Sequence, residues 1–396
     1  MVKMSKYAIC GFVIAIMLIS INVNAADKEI KLGQSMPYSG PAAAWGIFGK
    51  AGTAYFAKIN DEGGINGKKV TFLSYDDAYS APKALEQTRK LVEQDGIVAI
   101  YATGGNAVNL AIRQYLNDRK IPQLFITTGS PRFSDPEKYP WTLGWQPNYN
   151  VEARIYANYA LSSNSNAKIG ILYQNDDFGK SFLKGIKDII KETGKGKIVA
   201  AVTYETTDPT VDTQIIKLKS SKADVFFNVG NPKATVQAIK KAAEIDWRPL
   251  QFIYTGSASV SRVLKPAGFD NAKGIMTGAF IRDPSDPKQQ QTKEFKEYAA
   301  WVKKYLPEGK AEDLFIAWSY SMAQTMEYVL HKAGNDFSRE NLLKHATNIQ
   351  GLKLPMLLPG IEIETSPTDY RPIESMQMQQ FDGAKWQPKG GIVKGE

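Results

Sequence analysis

The stretch IYATGGNAVNLAIRQYL, residues 100–116, joins an apolar run to a segment whose apolar residues recur at helical spacing, with Gly104, Gly105 and Asn106 between them. Such a joint reads as a strand turning into a helix. Further strands are expected at 30–36, 69–75, 97–101 and 123–127, and helices at 49–60, 81–94 and 107–118. Strand, helix and strand in that order build a parallel sheet with covering helices.

An irregular aromatic and proline-rich stretch, DPEKYPWTLGWQPNYN, interrupts the alternation, which restarts at KIGILYQN, residues 168–175. Helices at 179–193, 210–220 and 233–244 alternate with strands at 198–204, 224–229 and 251–254, which makes a second wound sheet. Long helical stretches follow at 290–305 and 312–333. The tail, with short strands at 361–364 and 376–381, is punctuated by Gly360, Pro367, Pro372 and the pair Asp382 and Gly383, and reads as a strap or hairpin beside one lobe.

A chain of 396 residues exceeds what one hydrophobic core usually serves, so two domains are expected. Lys3 and Lys6 precede an apolar run over residues 8–21, and Val23, Asn24 and Ala25 offer a small-residue cleavage site, the pattern of a secretory signal peptide over 1–25. Nothing later approaches the roughly 20 apolar residues that a membrane span requires. Cys10 is the only cysteine, and it lies inside the signal. Without it the chain has no disulfide, thiol nucleophile or thiolate metal site. The net charge of +9 falls by two with Lys3 and Lys6, and the remaining lysines are scattered over helical faces, so no nucleic-acid partner is expected.

In open parallel sheets ligands bind beyond the carboxyl ends of the strands, where helix N-termini present unpaired N–H groups. Gly104 and Gly105 would let a ligand approach the backbone, and Asn106 is a favourable helix cap with an amide to offer. FITTGSPRF, residues 125–133, repeats the arrangement one strand later, with Thr127, Thr128 and Ser130 around Gly129. Two such loops on neighbouring strands would clamp one carboxylate; the alternative is that each merely makes its turn. DFGKS, residues 177–181, lacks the earlier glycine of a phosphate loop, because that place is Gln174.

SMPYSGPAAAWGIFGKAGTAYFAKINDEGGINGKKVTFLSYDDAYSAPKALEQTRKLV, followed later by LYQNDDFGKS, resembles the branched-chain amino acid type of periplasmic binding protein. The resemblance covers nearly the whole chain after the signal. It implies an α/β, two-lobed type I periplasmic binding protein, each lobe a mostly parallel sheet with helices on both faces. Residues 26–147 with 255–354 would form the N-terminal lobe, and 148–254 with 355–396 the C-terminal lobe. Hinge crossings are expected near Pro147, Tyr254 and Pro355. The implied role is a monomeric solute-binding protein of an ABC importer in the periplasm, handing its ligand to a permease driven by ATPase subunits, with no cofactor and no metal.

By the same resemblance Gly105, Asn106 and Thr128 bind the ligand carboxylate, and Phe178 supplies an aromatic lid. Amino-acid binders of the family carry an acid in the loop after the strand matching 252–254, where this sequence has YTGSAS, so Gly256 and Ser257 bring no charge to an ammonium group. An unpaired buried ammonium would cost several kcal/mol. Trp45, Trp145 and Phe178 are expected instead to form an aromatic slot for an aromatic or apolar organic acid, as in relatives that bind lignin-derived acids, with Asn231 a further contact from the second lobe. The alternatives are branched-chain or other amino acid binding, with Asp176 or Asp177 meeting the ammonium, a ligand sensor, or an enzyme working through Asp76, Asp77, Asp176 and Asp177. His331 and His345, the only histidines, lie far in sequence from these loops.

Overall fold

The computed structural model describes residues 29–40 and 42–395, so the expected signal peptide lies outside the described residues. The first sheet has the order β2-β1-β3-β4-β5. Its strands are β1 (Glu29–Met36), β2 (Lys69–Asp76), β3 (Ala99–Tyr101), β4 (Gln123–Ile126) and β5 (Thr142–Gly144). All four pairings are parallel, and β1 and β2 run in register from Glu29 opposite Lys69 to Met36 opposite Asp76. Three helices, α1 (Gly46–Asp61), α2 (Ala81–Glu93) and α3 (Asn106–Asp118), make the crossovers. On β3, Ala99 and Tyr101 face one hydrophobic cluster and Ile100 faces another, the two-residue period of a strand covered on both sides.

The second sheet has the order β12-β11-β10-β9-β8-β6-β7. In chain order these strands are β6 (Lys168–Gln174), β7 (Lys197–Tyr204), β8 (Val225–Val229), β9 (Leu250–Ile253), β10 (Met276–Ala279), β11 (Ser375–Phe381) and β12 (Trp386–Lys394). Helices α4 (Tyr149–Ser163), α5 (Asp177–Thr193), α6 (Asp212–Ser220) and α7 (Pro232–Glu244) cover it. β8 is buried along its whole length, with Val225, Phe227 and Val229 on one face and Phe226 on the other. The short helices α8 (Lys265–Ala267), α9 (Phe269–Ala272) and α10 (Pro287–Gln290) precede α11 (Lys293–Tyr305), α12 (Leu314–Lys332) and α13 (Arg339–Ala346). α12 returns to the first lobe, where Phe315 and Trp318 pack on Phe48 and Tyr320 packs on Tyr55, both of α1.

The sheets differ from the sequence expectation at β5, which lies in the stretch read as irregular, at β10 and at residues 361–364. The second crossing was expected near Tyr254, with residues after 255 in the N-terminal lobe. Met276–Ala279 instead pairs parallel to β9 and antiparallel to β11, so the chain stays in the second sheet through β10. The reason is β11: an added antiparallel strand needs a neighbour, and β10 is the strand that accepts it. The expected strand at 361–364 is reduced to an isolated bridge between Leu352 and Ile363, while the expected strand at 376–381 and the Asp382–Gly383 turn become the β11–β12 hairpin.

Candidate ligand cleft

The first chain crossing, between β5 and α4, brings the loop after β4 against the start of α4. The Tyr149 N–H donates to the Gly129 carbonyl at 2.7 Å. A Cβ on Gly129 would collide with the Pro147 carbonyl and lie 2.8 Å from the Tyr149 ring, so a glycine is needed for this close approach. Gly129 thus serves the crossing. A Cβ on Gly104 would lie 3.1 Å from the Met36 sulfur.

Beside that crossing the two expected clamp loops meet. The Thr128 hydroxyl donates to Asn106 Oδ1 and lies 2.9 Å from the Tyr149 hydroxyl. Burial pushes the Tyr149 phenol up to about 12, against the lowering effect of its Thr128 contact, so it stays a neutral donor or acceptor. Asn106 begins α3 and is only 3% exposed, yet its Nδ2 has no hydrogen-bond partner. A buried amide donor left unpaired carries the full desolvation cost, about 1–3 kcal/mol, and marks a place where an acceptor would be gained.

Ser130 and Arg132, from the same first-lobe loop, reach the second lobe. The Ser130 hydroxyl donates to Asp177 Oδ2, and Arg132 Nη1 lies 3.8 Å from Asp177 Oδ1, at the N-terminus of α5. Arg113 of α3 holds the loop in place: its Nη1 donates to the Arg132 carbonyl at 2.6 Å and its guanidinium lies 3.5 Å from the centre of the Tyr139 ring. Next to Asp177, Asp176 caps α5 by accepting from the Gly179 N–H at 3.3 Å, and it accepts from Gln174 Nε2 at 2.6 Å. Burial raises the Asp176 carboxyl above its ordinary range.

A pocket of about 450 Å³ opens toward solvent between the lobes, lined by Trp45 and Tyr79 from the first and by Gln174, Thr206, Asn231 and Lys233 from the second. Trp45 and Tyr79 meet edge to face at 6.2 Å. Asn231 caps α7 by accepting from the Ala234 N–H at 3.0 Å and donates its own N–H to the Tyr204 hydroxyl at 2.8 Å; that hydroxyl in turn donates to Gln174 Oε1. Tyr79 is held at φ +60°, rare for a bulky side chain, and its N–H donates to Asp77 Oδ1 at 2.8 Å. Its ring lies on Gly105, whose φ of +90° and absent Cβ the contact requires. Burial raises the Tyr79 phenol, with Asp176, Tyr149 and Tyr204 adding to the effect.

The expected site residues therefore divide. Gly105, Asn106, Thr128 and Ser130 gather at the lobe junction, and Trp45 and Asn231 line the pocket. Phe178 sits behind the junction, 4.7 Å from the Tyr149 ring and 4.8 Å from Tyr254. The aromatic slot of Trp45, Trp145 and Phe178 does not form. Trp145 is wholly buried after β5, its Nε1 donating to Thr325 of α12 at 2.9 Å and its ring 5.9 Å from Phe280. Ser257 is also wholly buried and donates to the Gly230 carbonyl at 2.8 Å, while Gly256 is covered by the Tyr254 ring. Tyr79, Tyr149, Gln174 and Tyr204 were not foreseen. The YDDAYS strand end was the available signal for Tyr79, but the turn that aims its ring is not legible from residue type.

The family model described as periplasmic binding protein matches residues 29–387. A Leu/Ile/Val-binding protein homolog 1 of Brucella abortus (strain 2308) is 23% identical over 319 residues, 80% of this chain and 82% of that protein. Two solved structures share the fold. A branched chain amino acid ABC transporter protein from Thermus thermophilus with bound valine has a TM-score of 0.83 at 14% identity, over 92% of this chain and 96% of that one. A fatty acid ABC transporter substrate-binding protein from Thermomonospora curvata has a TM-score of 0.78 at 18% identity, over 93% of each.

Proposed function

The chain belongs to the periplasmic binding protein family, as a type I, branched-chain amino acid-type binding protein and not an enzyme, and on that premise we propose the ligand and its route. The ligand is a small aromatic or apolar organic acid. Its carboxylate is held by Asn106, Thr128 and the N-terminus of α3, and its apolar body lies in the cleft near Trp45 and Tyr79. The chain, exported through a cleaved signal peptide, closes its lobes over this acid as a monomer and delivers it to an ABC permease whose ATPase subunits supply the energy.

The observation that carries this reading is the buried, unpartnered Asn106 Nδ2 beside the Thr128 hydroxyl at the junction of the lobes. The loop at 255–258 supplies no carboxylate for an ammonium group, and Asp177 is already engaged by Ser130 and Arg132. The Thermomonospora structure is named for a fatty acid, a ligand class with a carboxylate and no ammonium. A second reading, an α-amino acid, is favoured by Asp176, whose carboxyl is close enough to influence both Tyr79 and Tyr204 of the pocket, and by the valine in the Thermus structure.

Titration calorimetry with benzoate, 4-hydroxybenzoate and octanoate against leucine and valine separates the two. The organic acids are expected to bind, and Asn106→Ala to weaken them at least tenfold, in line with loss of a charge-assisted hydrogen bond of about 1.5–3 kcal/mol. Binding of leucine or valine with no response to the acids would instead establish the amino acid reading.

A further inference from the structure

The cleft consists of two compartments, and one side chain separates them. Gly105, Asn106 and Thr128 do not line the pocket between the lobes; Tyr79 does, and its ring also covers Gly105. The ring therefore stands between the space bounded by Trp45, Gln174 and Asn231 and the unpartnered Asn106 amide. We propose that Tyr79 is a specificity-determining gate: its ring fixes how large an acid can span from the pocket to the Asn106–Thr128 donors.

Three features of the position fit a gate rather than a packing residue. Tyr79 is only partly exposed, and among the described residues its hydroxyl makes no hydrogen bond, so its ring is held by packing, Trp45 and Gly105 among its contacts. Its backbone, like that of Ala78 before it, is in the left-handed region, at φ +60° and +51°, which a side chain of this size adopts only when its surroundings enforce it. The Asp77 carboxylate supplies that enforcement by accepting the Tyr79 N–H, so the turn is held at its base and the ring can move only by rotation about its own side-chain bonds. A tyrosine laid on a glycine can also rotate away without tearing a packed core, because it leaves backbone behind it rather than a hole among side chains.

The ligand class follows, resting on the proposed function above. Any acid whose carboxylate reaches Asn106 moves the ring off Gly105, and the bulk behind that carboxylate sets how far. A longer acid, such as a phenylpropenoate or a medium-chain fatty acid, requires the ring to swing clear of the cleft. A carboxylate reaching Asn106 must displace the ring, so the apparent affinity of every acid is reduced by the fraction of time the gate is open.

The test compares wild type, Tyr79→Gly and Tyr79→Phe. Glycine removes the ring and suits the positive φ, so the variant is expected to fold; phenylalanine keeps the ring. Binding is measured with octanoate and 4-coumarate, and with the fluorescent aromatic anion 1-anilinonaphthalene-8-sulfonate, which probes the joined cavity whatever the natural ligand is. Tyr79→Gly is expected to bind the dye and the longer acids at least tenfold more tightly than wild type, and Tyr79→Phe to bind them as wild type does. Equal dye affinity in all three proteins would overturn the gate. A dye difference with no acid binding to any of them would uphold the gate and overturn the ligand reading instead.

Discussion

Glu152 is wholly buried on α4, and both of its hydrogen-bond donors are neutral: the Tyr156 hydroxyl at 2.6 Å and the Thr255 N–H at 2.8 Å, each to Oε1. Its Oε2 has no partner. Burial, only partly opposed by these two bonds, pushes the carboxyl up to about 8 from an ordinary 4.5. The folded protein thus keeps a proton that the unfolded chain gives up above about pH 4.5. The stability this group contributes is fully present below that pH, falls as pH rises by at most ~1.4 kcal/mol per unit, and levels off above about pH 8. Glu152→Gln copies the protonated form and is expected to flatten that slope, so that urea melts of the variant and wild type coincide near pH 4 and diverge in favour of the variant at pH 8. An unchanged slope would show that Glu152 is ionised in the fold. Trp145 invites a second measurement at this scale. From sequence it was expected to line the ligand slot, where its loss would spare the fold. Its burial and its bond to Thr325 reverse that expectation: the substitution should cost roughly 3–5 kcal/mol of stability, read as a lowered urea midpoint.

At the scale of elements, what the sequence discloses depends on whether the information is local. β1 to β4 of the first sheet were legible because apolar runs such as the one ending at Tyr101 stand out between turn residues, whereas β5, three residues inside the stretch read as irregular, was missed. The pairing of Asn106 with Thr128 was legible for the same reason: β3 and β4 are sheet neighbours, so the loops after them must be neighbours too. β10 was missed because Met276–Ala279 is four residues long with a glycine inside it, and its membership of the second sheet is decided by β11, which comes after three long helices. The role of Tyr79 escaped notice because a residue type says nothing about a left-handed backbone, and that of Trp145 because Thr325 lies 180 positions away.

For the whole molecule, the contact of Ser130 and Arg132 with Asp177 links the lobes without passing through the ligand pocket. Such a link stabilises this arrangement of the lobes whether or not a ligand is bound, and on the proposed function it raises the fraction of protein ready to hold one. Asp177→Ala is expected to enlarge the ligand-free protein in small-angle scattering and to weaken acid binding several-fold. An unchanged scattering profile with unchanged affinity would remove Asp177 from the closure equilibrium. Arg132 is more than half exposed, so added salt should reproduce part of the same expansion in the unmodified protein.

The hairpin of β11 and β12 has a consequence for the order of events in the life of the chain. All five strands of the first sheet precede residue 145, but β10 waits for a neighbour from the carboxyl end before its free edge is covered. A polypeptide emerging amino end first can complete the sheet of one half early and its helical cover once α12 appears, whereas the other half stays unfinished until β11 and β12 follow. Release of a truncated product would leave an intact half joined to an open-edged one, a form suited to sticking to its own kind and a natural target for proteolysis.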